Sequence, residues 1–384
     1  MEALVIRYYN LNRFLLSLTG LWPFQNKIVR QIQHFFVHTI FLSSVLVQIF
    51  KLATIEPSIE SYIDVSSYAL LCLAYISKYS MYIYQFQNVK YLIIRLCHNW
   101  DLLFYEKEHE IMQEYALKVL ICSLIIILVI WTSFLWIYDV IAPLNGSHHA
   151  KPPFSAEYFI DEEVYFYHIL MHMYLIFIIG MAVFIALETF YAVCVQHACG
   201  LFYIVGYRFE EALNESVLNL PPFAKKSFDI FEKIARAIEA HKNAIEFVDH
   251  MNSCFSKSYF VLLILVIAAV TVNSTAVLQA ITAARTYDAA NNLARIINIT
   301  CGLFCLCYCG QKLIDCSTSI SKKVYNLPWF LAPVEIQGSL LVVMQRSLKE
   351  CTLVLGTLFP VSFELFAAVL KMSSYYITTL RALQ

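Results

Sequence analysis

Two sets of side chains in this sequence are of the types that bind metals. Cys301, Cys305, Cys307, Cys309 and Cys316 crowd one apolar stretch. A zinc site needs four ligands converging as a tetrahedron. On a helix, residues two apart point in different directions, so Cys305, Cys307 and Cys309 do not converge. We expect no metal there and read these thiols as small apolar side chains of a membrane helix. His148 and His149 could bind a metal or respond to pH. Their setting, between Asn145 and the Pro152-Pro153 pair, is that of solvated loop residues. No glycine-rich, phosphate-cradling loop is visible, and no nucleophile stands with an activating base. The sequence therefore points away from an enzyme and from a bound cofactor. The other chemically notable residues are charges inside apolar runs: Lys78, Lys349, Glu350, Glu364 and Lys371. Each is costly in hydrocarbon and has to face water, protein or a pore. Glu364 and Lys371 are seven apart and share a helix face, so either could pair with a neighbouring subunit.

The elements that must carry these residues follow from composition. The chain has 384 residues, of which 60% are hydrophobic and only 14% charged. Soluble domains run roughly 45–50% apolar and about 25% charged. Mean hydropathy is +0.63. Glycine (9) and proline (10) are sparse, so low-complexity sequence does not explain the excess. The 12 cysteines lie mostly inside apolar runs, which argues against a secreted disulfide scaffold. A net charge of −1 creates no field that would draw nucleic acid. What remains is an all-α, polytopic membrane protein in contact with the lipid bilayer.

A helix needs about 20 apolar residues to span a bilayer. Six runs qualify as spans, at residues 34–50, 62–86, 116–141, 164–205, 255–284 and 293–314. The fourth is overlong, so its end projects into water. The last stretch, 337–380, is interrupted by Gly356 and Pro360 and reads as a split seventh span. Residues 227–250 carry Phe228, Phe231, Ile234, Ile238, Ile245 and Val248 at helical spacing among charges. They form an amphipathic helix leading into the fifth span.

Residues 1–30 mix Arg7, Arg13, Lys27 and Arg30 with short apolar runs and lack a signal-peptide core. We expect the first span to act as the insertion signal and the N-terminus to stay in the cytosol. Seven spans then place the C-terminus outside. Basic residues agree. The inner segments hold those four plus Lys90, Arg95, Lys107, Arg208, Lys225, Lys226, Lys233, Arg236, Lys242, Lys312, Lys322 and Lys323. The outer ones hold only Lys51, Lys151, Arg285 and Arg295. The sequon at Asn145 falls in the outer loop 143–163, where a glycan could attach and which is long enough to act as a lid. The sequons at Asn273 and Asn298 lie within or near helices and are fortuitous.

A G-protein-coupled receptor does not fit. That family has an outside N-terminus, an acidic-Arg-Tyr motif and an Asn-Pro motif. Here Glu114-Tyr115-Ala116 and Leu358-Phe359-Pro360-Val361 stand in their places. The C-terminal region instead reads Tyr325-Asn-Leu-Pro328-Trp329-Phe330, Met344-Gln345-Arg346-Ser347, Gly356-Thr-Leu-Phe359-Pro360-Val-Ser362 and Ser373-Ser374-Tyr375-Tyr376-Ile-Thr378-Thr379-Leu380. In order and spacing this resembles the C-terminal signature of insect odorant receptors. The rest of the chain agrees with that family in length, hydropathy and inverted topology.

The resemblance implies a ligand-gated, non-selective cation channel in the plasma membrane of sensory neurons. It implies tetramers around a central pore, in which a subunit tuned to small volatile hydrophobic odorants pairs with a shared co-receptor. This chain lacks the co-receptor's extended inner loop and so resembles a tuned subunit. The single membrane domain, 1–384, would divide into helices around an outer ligand pocket (33–205), anchor helices with the fifth and sixth spans (206–358) and a pore-lining helix (359–384). Thr379 and Leu383 align with the family's gate ring, and their i,i+4 spacing puts both on one face. A ring of apolar side chains can block ions by dewetting. The competing reading is packing against a neighbour. For the ligand we single out Tyr68, Leu71 and Tyr75 on the second span, and Ser133, Trp136, Ile137 and Val140 on the third. To these we add His172, Leu175 and Ile179 on the fourth and Ile297 and Cys301 on the sixth. A volatile ligand wants an apolar pocket with few polar anchors. Ordinary helix packing is the alternative for each of these residues. Two other functions stay open at this point. One is a related gustatory receptor channel. The other is a secondary transporter, although no second broken segment answers the one at 356–360.

Overall fold

The computed structural model describes residues 8–55, 58–132, 155–218 and 224–382. It is almost wholly helical. The helices are α1 (Asn10–Leu18), α2 (Lys27–Thr54), α3 (Ile59–Tyr84), α4 (Phe86–Asp101), α5 (Glu106–Thr132), α6 (Phe166–Leu218), α7 (Ala224–Thr282), α8 (Thr286–Asn326), α9 (Val334–Leu348) and α10 (Phe363–Ala382). They occupy the positions of the seven expected spans, the last in two pieces. Among the described residues four helices, α2, α6, α7 and α8, are long and apolar enough to cross a membrane.

Several boundaries differ from the hydropathy reading, for one reason. Apolar windows mark only the stretch that hydrocarbon surrounds. Helices continue beyond it wherever an amphipathic face can pack. The amphipathic segment and the fifth span are one helix, α7, of 59 residues, about 88 Å long. The sixth span extends at both ends into α8. The second span stops at Gln85, and residues 86–101 form a separate helix, α4, that the sequence reading left as an inner segment. The third span is described only to Thr132; its outer part, including Ser133, Trp136, Ile137 and Val140, lies outside the described residues. So do Asn145, His148, His149 and Leu383.

α6 is apolar nearly all round, which destines a helix for the centre of a bundle. Phe190, Tyr191, Phe202 and Phe209 on it are at most 2% exposed. α5, α7 and α8 pack around it. Local signals set the ends. The Asn26 side chain accepts from the Ile28 amide at 2.9 Å and starts α2. α7 stops where Ala284 turns left-handed (φ 57°). The Arg285 and Ala284 amides then bond back to the Ala280 and Ile281 carbonyls, at 2.8 and 3.1 Å. That tight turn makes α8 the antiparallel neighbour of α7.

At the opposite end, α4, the start of α5 and the outlying halves of α6 and α7 form a second packed region. Its centre is an ion pair. Arg208 Nε and Nη2 donate to the two oxygens of Glu108 at 2.5 and 2.9 Å. Glu108 also accepts from the Phe104 amide at 2.8 Å, closing the first turn of α5. His241 of α7 lies in this region; burial, and then the nearby Arg346 charge, push its pKa down to about 4.

The break in the last span is not a simple proline kink. Residues 354–355 and 359–360 pair as a two-stranded hairpin around Gly356, whose φ is +68°. Asn252 of α7 clips it by donating to the Thr352 carbonyl and accepting from the Val354 amide, both at 2.8 Å. Ser256 donates to the Val354 carbonyl at 2.5 Å. We expect Asn252→Ala to leave both backbone groups without these partners. The cost is roughly 1–3 kcal/mol for each group left buried and unpaired. Thermal unfolding of the purified receptor measures it, and an unchanged midpoint would show that the clip contributes nothing.

Candidate functional site

The residues singled out for the ligand fall into two groups. The first lies in the seam between α2, α3 and α6. Tyr75 is 3% exposed. Its ring fills the space that a side chain at position 180 would need. A Cβ on Gly180 would lie 2.3 Å from the ring atoms, so glycine is what lets α3 approach α6 here. Phe41 stacks on Tyr75 at 6.1 Å, Phe184 meets it edge-on at 6.3 Å, and its hydroxyl points to Met181 sulfur at 3.4 Å. Leu175 and Ile179 join the same seam through Ile40, Cys72 and Ile176.

His172 sits at the rim of that seam with both ring nitrogens engaged. Nε2 bonds Ser43 Oγ at 2.9 Å and Nδ1 bonds the Tyr158 hydroxyl at 2.8 Å. Tyr158 belongs to a segment, residues 155–160, strapped across α2 and α6. The Glu157 amide donates to the Val47 carbonyl at 3.1 Å. Its carboxylate meets Lys51 at 3.5 Å and Thr54 at 3.3 Å. Ala156, Ile169 and Met173 bury a small apolar patch beneath the strap. The described part of the expected lid is therefore fastened down, and His172 is one of its fasteners.

The second group lies between α3 and α8. Tyr68 is half-buried. Its hydroxyl receives a hydrogen bond from Arg295, whose guanidinium carbon stands 4.6 Å from the Tyr68 ring centre. Cys301 is half-buried. Leu71 and Ile297, 36% and 53% exposed, face away from the rest of the chain.

Between these groups and the packed region around Arg208 and Glu108 stands a buried polar cluster. Lys78 of α3 pairs with Glu188 of α6, and the Tyr259 hydroxyl of α7 donates to the other Glu188 oxygen at 2.9 Å. The Phe184 and Tyr259 rings lie 4.2 and 4.6 Å from the ammonium. Lys78 was conspicuous in the sequence; its partners were not. One signal existed: Glu188 is an acid in the middle of the fourth apolar run, and intramembrane charges come in pairs. Arg295 was counted as an outer-loop charge, yet it lies inside α8.

Thr379 is exposed on α10, its hydroxyl bonded to the Tyr375 carbonyl one turn back at 3.0 Å. Val369 and Ser373, each 3% exposed, face the chain, while Tyr375 is 69% exposed. Among the described residues no three or more His, Cys, Asp or Glu side chains could hold a metal. Asn273 is 1% exposed and hydrogen-bonded to Ser67 at 2.9 Å, so its sequon is not a modification site.

Residues 58–374 match the family model of the 7tm odorant receptor. No curated protein sequence matches the chain. Among solved structures it is similar to the insect olfactory receptor OR5 from Machilis hrabei in complex with eugenol. The TM-score is 0.84 at 13% identity over 99% of each chain. A second structure of that receptor gives 0.84 and 13% over 98% of each chain. At such identity the likeness shows the fold. Family membership rests on the match over most of the chain, which also agrees with the C-terminal signature. This protein belongs to the seven-transmembrane odorant receptor family, a family of receptors and not of enzymes.

Proposed function

We propose that this chain is the odorant-binding subunit of a non-selective cation channel, assembled as a tetramer with a shared co-receptor in the plasma membrane of sensory neurons. In this reading the N-terminus is cytosolic, the strapped end faces outward and the anchor end inward. The observation that carries it is α10. This helix is attached along one edge to α7 and α8. Its remaining surface exposes Ser374, Tyr375, Tyr376, Thr378 and Thr379. A membrane helix does not present such a row to lipid; it needs neighbouring subunits or water on that side. Four copies around an axis would supply both. Residues 359–384 then form the pore wall, 206–358 the anchor and the fifth and sixth spans, and 33–205 the part that takes the ligand. Ser133, Trp136, Ile137 and Val140 complete the proposed pocket with Tyr68, Tyr75, His172, Leu175, Ile179 and Cys301.

Whole-cell recording with volatile odorants tests this. The chain is expressed alone and then with the co-receptor. Currents only in the mixture support a tuned subunit. Currents from the chain alone indicate a self-sufficient channel, and silence in both refutes odorant gating. If Thr379, aligned with the gate ring together with Leu383, narrows the closed pore, then Thr379→Asn adds a polar group where dewetting seals it. We expect ligand-independent current to rise several-fold, on the order of one kcal/mol of gate stability. Unchanged basal current and ion permeability would remove Thr379 from the pore.

A further inference from the structure

Two thiols from distant parts of the chain meet where α6 packs against α8. Cys199 is fully buried and Cys316 half-buried. Each is the other's hydrogen-bond partner. The Cys199 sulfur also points to the Lys312 carbonyl, one turn before Cys316, at 3.8 Å. The two helices run in the same direction and stay in step. Seven residues further along both, Gly206 faces Lys323, and a Cβ on Gly206 would stand 2.7 Å from Lys323 Cδ. The missing side chain at Gly206 lets the two helices approach closely here. Close backbones are what a disulfide needs, since its Cα atoms lie within roughly 7 Å of each other.

Two features give this pair a use beyond packing. The first is reactivity. Lys312 and Lys323 place two positive charges near Cys316, against one negative charge on Asp315. An excess of positive charge favours the thiolate, which is the form that reacts. The second is what this stretch of α8 carries. Ser317, the next residue, accepts from the Cys351 amide through its hydroxyl oxygen at 3.1 Å. Gln311 accepts from the Phe363 amide at 3.4 Å. Gly310 lies against the Val361 backbone. The hairpin that precedes α10 is therefore fastened to α8 on both sides, within two turns of Cys316. A covalent bond from Cys316 to α6 would tie that same stretch to the central helix of the bundle.

We infer that Cys199 and Cys316 form a reversible thiol–disulfide site, oxidised by hydrogen peroxide, that restrains α8 against α6. The chemistry runs in two balanced steps. The Cys316 sulfur attacks one oxygen of the peroxide and the O–O bond breaks. The sulfur gives up two electrons and becomes a sulfenic acid, and the thiol proton leaves with the second oxygen as water. The Cys199 sulfur then attacks the Cys316 sulfur and the S–O bond breaks. The hydroxyl leaves with the Cys199 proton as a second water, and the disulfide remains. Two molecules of a small thiol such as glutathione reverse it by exchange and are themselves joined as a disulfide. In the orientation proposed above the pair lies toward the cytosol, where thiols are normally kept reduced. The bridge is then a transient signal and not a permanent staple. The thiol chemistry stands apart from the channel reading; its effect on current rests on that reading.

The full receptor in nanodiscs is treated with hydrogen peroxide, its remaining thiols are blocked with N-ethylmaleimide, and it is digested without reductant. Mass spectrometry should find the peptide of Cys199 joined to that of Cys316, and dithiothreitol should separate them. Cys316→Ser should lose the joined peptide and keep a near-normal melting temperature, because that position is half-buried. Cys199→Ala should lose it too and leave Cys316 as a sulfenic acid that dimedone labels. A Cys316 that stays free, is oxidised beyond the sulfenic acid or is joined instead to Cys309 or Cys351 overturns the inference. Inside-out patches holding the receptor with its co-receptor test the restraint. Peroxide should reduce odorant-evoked current several-fold, dithiothreitol should restore it, and Cys316→Ser should be insensitive to both. A joined peptide with unchanged current overturns the restraint on α8. A joined peptide in a receptor that carries no current under any condition supports the thiol site and overturns the channel reading.

Discussion

Replacing Lys78 by methionine should strip most of the receptor from the cell surface, and adding Glu188→Leu should restore much of it. Both side chains are withdrawn from solvent, at 3% and 15% exposure. They lie where α3, α6 and α7 meet, and Tyr259 completes the hydrogen bonding of Glu188 at 2.9 Å. Taking one partner from a buried ion pair leaves the other charge unmatched, which costs roughly 3–5 kcal/mol. That is a large fraction of the 5–15 kcal/mol by which a typical fold is stable. Replacing both partners by apolar residues of similar volume removes the unmatched charge and is often neutral. Glu188→Gln should resemble Lys78→Met, because the lysine is then unpaired against the Phe184 and Tyr259 rings, 4.2 and 4.6 Å away. Surface labelling and thermal unfolding in detergent measure the effect. If Lys78→Met keeps the normal surface level and melting temperature, the pair does not hold the three helices together. If the double variant is worse than both single ones, the cluster matters through something other than charge balance.

If the chain is the channel subunit proposed above, Gly310→Val should abolish odorant-evoked current in receptors that still reach the surface, and Gly310→Ala should sharply reduce it. A Cβ at position 310 would stand 2.2 Å from the Val361 carbonyl oxygen and 2.6 Å from Val361 Cγ1. The oxygen belongs to the backbone and cannot swing aside as a side-chain tip can. Val361 is held in turn, its amide donating to the Leu353 carbonyl at 2.8 Å. Two residues later α10 begins, so relief of the clash has to move the start of that helix. Overpacking of this kind costs about 1–3 kcal/mol, occasionally more. Gly302, on the same helix, is the control: a Cβ there meets nothing within 4 Å. Gly302→Ala should gate normally and stabilise α8 slightly, by up to about 1 kcal/mol. Current normalised to surface amount distinguishes the two sites. Normal gating in Gly310→Ala would show that the contact between α8 and the hairpin does not set the position of α10.

The all-helical fold was legible because hydrocarbon demands long apolar runs and little else. Among the described residues these runs, the break near Gly356 and Pro360 and the amphipathic approach to the fifth span stand as helices or as the interruption between them. Helix ends were less legible. The signal that extends α7 and α8 beyond their apolar windows is packing against neighbouring helices, which a hydropathy window does not contain. α4 was missed because its short amphipathic pattern resembles any inner segment.

The candidate ligand residues were legible only as types on faces. Helical spacing put Tyr68, Leu71 and Tyr75 together, yet the structure buries Tyr75 against Gly180, joins Tyr68 to Arg295 and leaves Leu71 36% exposed. His172 looked like a pocket residue and is engaged at both nitrogens by Ser43 and Tyr158. Single-helix periodicity cannot say which neighbour a face meets.

By itself the sequence determined the class of protein, where the long apolar helices lie and, through its C-terminal motif, the family. These follow from local composition and order, which need no partner to be read. The tertiary structure decided which distant residues share a site: Lys78 with Glu188 and Tyr259, Arg295 with Tyr68, and Asn252 with the hairpin that precedes α10. The reason is physical. A buried charge or backbone group must be matched, but the matching group can come from any helix that the packing brings within a few ångströms. That choice is made by the shapes of whole helix surfaces and is written in no single stretch of the chain.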